Sequence, residues 1–63
     1  MGFLEKAQKV IDSYKNMPRT KEIEVSLVEE MAHLIAAYMH IYGVDIYKFN
    51  FDKFFKRLKF PPP

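Results

Sequence analysis

The chain has no cysteine and no tryptophan, only two glycines, and one threonine beside two serines. Without cysteine there are no disulfides and no thiolate metal sites. With two glycines, Gly2 and Gly43, neither a G-x-G-x-x-G nor a G-x-x-x-x-G-K-[ST] phosphate loop occurs, and there is no G-x-S-x-G elbow. Of the three hydroxyls, Ser26 suits a helix cap, and neither Ser13 nor Thr20 has an aspartate or histidine at a recognisable spacing. Catalysis has little to work with, so the chain is expected to be non-enzymatic and to use no cofactor. Long apolar runs are missing as well. The most apolar stretch, LVEEMAHLIAAYMHIYGV, holds two glutamates and two histidines, far from the roughly 18 uninterrupted apolar residues of a membrane span. The chain is expected to be soluble, and the absence of cysteine leans towards the cytoplasm.

What is present is apolar surface. The composition is 49% hydrophobic, with six phenylalanines, four tyrosines and four methionines in 63 residues. A chain this short buries only about 60% of its unfolded surface and is marginal alone. Disulfides are excluded, so association with another copy is the remaining remedy. More large apolar side chains are present than three short helices can enclose, and an apolar patch left outside marks an interface. A homo-oligomer, most simply a homodimer, is expected.

The spacing predicts an all-α domain of three helices over 2–16, 20–43 and 46–60, with 61–63 as a short proline tail. Phe3, Leu4, Ala7, Val10, Ile11 and Tyr14 fall on one helical face, with Glu5, Lys6, Lys9, Asp12 and Lys15 opposite. Pro18 disfavours helix at Met17. From Leu27 to Tyr42 the apolar positions keep helical spacing, and Gly43 is a good stop. Met31, Leu34, Ile35, Tyr38, Ile41 and Tyr42 are the candidates for the dimer face. The stretch before it, EIEVSL, permits either a helix capped at Thr20 or a strand over 22–27, with Ser26 and Glu29 as a capping box. The third helix has two possible starts, a cap at Asp45 or a later one at Asn50. Both place Phe51, Phe54, Phe55 and Leu58 on one stripe, and the earlier start turns Phe49 and Phe60 away from it.

With a strand over 22–27, a helix, a glycine turn at Gly43 and a second helix, residues 21–58 resemble a ribbon-helix-helix protein. That resemblance implies alternate strand residues facing a DNA groove. Here they would be Glu22, Glu24 and Ser26, and acids there repel phosphate.

Charge is segregated along the chain. Residues 1–21 carry +3 (five cations, two acids), 22–45 carry −5, and 46–63 carry +4 (five cations, one acid). Helix dipoles account for part of this, drawing acids to helix starts and cations to helix ends. Lys48, Lys53, Lys56, Arg57 and Lys59, with Phe49 and Phe60 among them, are the candidate partner-facing surface, rings supplying contact area and cations orientation. A protein partner is favoured. The alternative is a DNA-binding regulator gripping phosphate with the basic C-terminal helix. Glu30 and His33 form an E-x-x-H pair, but a bundle metal site needs a second such helix, so the pair is taken as a solvated face and no metal is expected.

Overall fold

Three helices, α1 (Phe3–Tyr14), α2 (Lys21–Tyr42) and α3 (Phe51–Arg57), make up the chain, with no strand among the described residues. The computed structural model describes residues 2–62, so Met1 of the expected domain and Pro63 of the expected tail lie outside it.

The first helix follows its apolar stripe, with Ala7 and Ile11 completely buried. It stops at Tyr14, where the Met17 N–H closes a turn onto the Tyr14 carbonyl (3.0 Å) ahead of Pro18. The second helix starts at the Thr20 cap, whose Oγ1 accepts from the Ile23 N–H (3.3 Å), and Glu22 and Glu24 lie in its first turn. Residues 22–27 are therefore helical, and Ser26 lies inside the helix. Burial explains this outcome, since Ile23 and Leu27 stand one turn apart and Leu27 packs on the core beside Met31 and Ile35. The helix ends at Gly43, whose φ of 65° is left-handed and costs a residue without Cβ nothing. The N–H groups of Gly43 and Val44 both donate to the Met39 carbonyl.

The third helix is shorter than the expected 46–60. Asp45 does not cap it. Instead its Oδ1 accepts from the Tyr47 N–H (2.9 Å) and its carbonyl from the Lys48 N–H (3.0 Å), which closes a local turn. A short acidic side chain bonding to the backbone two residues on competes with helix in this way. Asn50 is the cap, its Oδ1 accepting from the Lys53 N–H (2.9 Å). Beyond Arg57 the chain is extended and fastened to α1. Lys59 donates its N–H to Gln8 Oε1 and accepts from Gln8 Nε2 (both 2.8 Å), and Arg19 donates to the Pro61 carbonyl.

The core joins all three helices: Ala7 and Ile11 from α1, Met31 and Ile35 from α2, Phe54 from α3 and Leu58 just after it. At one end Phe3 stacks on Phe54 (4.9 Å between centroids) and touches Tyr38 (4.2 Å), with Phe49 edge-on to Phe3 (6.5 Å). Phe49 thus packs against the core, contrary to the outward direction expected of it, because the late start of α3 frees the chain at 49 to fold inward. At 1.5 Å rise per residue, α2 is about 33 Å long, α1 about 18 Å and α3 about 10 Å. The molecule accordingly measures 36 × 21 × 20 Å. Two short helices cannot cover every side of a long one.

Candidate functional site

The uncovered part of α2 forms one wall of an apolar groove of about 530 Å³. Val28, Ala32, Ala36 and Met39 line it, above the buried Met31 and Ile35. The other wall comes from the connector and the C-terminal segment, through Ile46, Phe51, Phe55 and Phe60. These side chains are open to water: Val28 is 66% exposed, Ile46 57%, Phe60 49% and Phe55 37%. The groove exists because α2 carries apolar residues on two stripes. Ile23, Leu27, Met31, Leu34 and Tyr38, buried or half-buried, form one stripe, whereas Val25, Val28, Ala32, Ala36 and Met39 lie about 140° round at 100° per residue. The clamp between Gln8 and Lys59 holds the chain that carries Phe60 in place as part of the far wall.

The predicted dimer residues divide into three groups. Met31 and Ile35 are buried in the core of their own chain, with little area left for a partner. Leu34 and Tyr38 are half-buried. Ile41 and Tyr42 are exposed and border a small cavity of about 100 Å³ with Phe3 and Lys6. The open apolar surface of α2 therefore includes Ile41 and Tyr42 and a second stripe about Ala32, which sequence reasoning passed over. A signal was available: once one stripe is assigned to the core, 25, 28, 32, 36 and 39 remain, and all are apolar.

The predicted basic surface is likewise divided. Lys48, Lys53, Lys56, Arg57 and Lys59 are all exposed. Lys53 and Arg57, one turn apart, line a cavity of about 550 Å³ floored by Phe3, Tyr38, Phe49 and Phe54, with Glu5 and Asn50 at its edge. Lys48 borders a separate depression with Tyr47 and Asp52. Lys56 and Lys59 line neither. Phe60 belongs to the apolar groove, whereas Phe49 shares a cavity with Lys53 and Arg57.

The acids of α2 have a visible use. Tyr14 Oη donates to Glu30 Oε1 (2.6 Å), tying α1 to α2. Its phenol pKa is raised above the usual value, first by this hydrogen bond, then by desolvation and by the charges of Glu30 and Glu29. No group of three metal-capable side chains converges among the described residues, and no described helix is long and apolar enough to cross a membrane. No family model, curated protein or solved structure matches the chain.

Proposed function

We propose that the protein is a small, non-enzymatic interaction module that binds another macromolecule and works as a homodimer, with the groove between α2 and the α3 segment as its docking surface. The observation that carries this reading is the groove itself, whose lining is apolar throughout yet open to water. Contiguous exposed apolar surface of this kind is characteristic of interaction sites. A cleft walled by a helix and an aromatic segment suits an amphipathic helix, which presents anchors at i, i+3, i+4 and i+7. The DNA-binding alternative has weaker support, because only Lys53 and Arg57 of the five cations share a cavity. The two readings also differ in salt response. Phosphate contacts weaken steeply with salt, whereas burial of apolar surface does not.

A photo-reactive residue placed at Val28 of the full chain in its native cells tests the reading. Adducts identified by mass spectrometry as a second copy or another macromolecule are expected from Val28 and not from Lys9, an exposed position on α1. No adduct from Val28, or equal yields from both positions, overturns it.

A further inference from the structure

We infer that the groove is filled by α2 of a second copy, running antiparallel and crossing at Ala32. This rests on the groove being a docking surface and names its occupant. Val25, Val28, Ala32, Ala36 and Met39 recur at spacings of three or four, the seam that one helix offers another. Ala32 and Ala36 are exposed at its middle, and small side chains there let two helix axes approach closely. The chain as a whole exposes more surface than its mass predicts. A monomer of 7.5 kDa exposes about 4,200 Å², whereas this chain exposes 5128 Å². The surplus, on the order of 900 Å², matches the ~800 Å² that each partner contributes to a standard interface.

Direction follows from the charges beside the seam. Glu22, Glu29, His33 and His40 are exposed and follow one edge of α2, spaced seven, four and seven apart. Parallel pairing would put this edge of the two copies on opposite sides of the seam, where these groups could not meet. Antiparallel pairing about Ala32 sets Glu29 of one copy near His33 of the other, and Glu22 near His40, where an imidazole N–H can donate to a carboxylate. Lys53 and Arg57 of α3 line a different cavity and remain free for a further partner.

The chain has no native cysteine, so single cysteines report the geometry directly. In the full-length protein under mild oxidation, A32C meets its own counterpart and is expected to form a disulfide dimer. V28C and A36C lie four residues to either side, so a mixture of the two is expected to cross-link. Each alone would leave like positions about 12 Å apart along the helix axis, beyond the ~4.4–6.8 Å between Cα atoms that a disulfide spans. Cross-linking of V28C alone and of A36C alone is expected to be at least roughly tenfold lower than that of the mixture on those grounds. Efficient linkage of each variant with itself indicates parallel pairing and overturns the inference, as does equal linkage in every combination. Absence of linkage everywhere, with foreign adducts at Val28, overturns the self-pairing but leaves the groove a docking site. Absence of both overturns the groove reading as well.

Discussion

Phe54 and Phe55 are adjacent in sequence and differ in environment. Phe54 is 7% exposed and stacks on Phe3, whereas Phe55 lies at the lip of the groove. Sequence spacing puts both on one apolar stripe, and the structure shows that this stripe is wide enough to have a dry side and a wet side. Phe54→Ala is therefore expected to cost about 3–5 kcal/mol through lost burial and a cavity, enough to unfold much of so small a domain. Phe55→Ala is expected to cost roughly 1 kcal/mol. Urea titrations followed by circular dichroism compare the two, and equal losses would show that the groove lip is core. Individual fates such as that of Phe49 are not legible in sequence, because they depend on where the connector turns rather than on the periodicity of the helix.

At the scale of elements, α1 and α2 were legible because long amphipathic patterns with good stops leave few alternatives. Thr20 and Gly43 bound α2 as capping chemistry predicts, and the alternating EIEVSL stretch is helical because Ile23 and Leu27 share one half-buried stripe. The start of α3 was harder to read, since Asp45 and Asn50 are both good caps. The turn made by the Asp45 carboxylate, with its bond to the Tyr47 N–H, selects the later one. The α1–α2 pairing carries a pH signature through Tyr14 and Glu30. The phenol pKa is raised on folding, so the neutral form is favoured in the native state. That contribution is fully present below the unfolded value of about 10 and is lost as pH rises through the higher folded value. The parent is expected to lose more stability than Tyr14→Phe between about pH 9 and 11, across the phenol range. Equal losses in urea titrations at the two pH values would show that the phenol does not couple the helices.

The whole molecule is a long helix with two short elements on part of its circumference, and its proposed function lies in what they leave uncovered. Composition shows that apolar side chains exceed the available interior, but not which face stays open. That depends on the relative lengths of the helices and on the Gln8–Lys59 and Arg19–Pro61 bonds that hold the C-terminal segment. Of the residues expected at the interface, Met31 and Ile35 are buried in the core, Leu34 and Tyr38 are half-buried, and Ile41 and Tyr42 are exposed, with the open stripe about Ala32 beside them. The central claim is that this stripe associates two copies. Sedimentation equilibrium of the full chain with the Val28→Glu variant beside it tests that claim most directly. At concentrations on the order of 100 µM, within reach of even a weak dimer, the parent is expected to sediment near twice 7.5 kDa. Val28→Glu, which puts a charge on an exposed position and leaves the core intact, is expected to sediment as a single chain with unchanged helical content. A parent that remains a single chain throughout, or a variant that associates as strongly as the parent, would contradict the account.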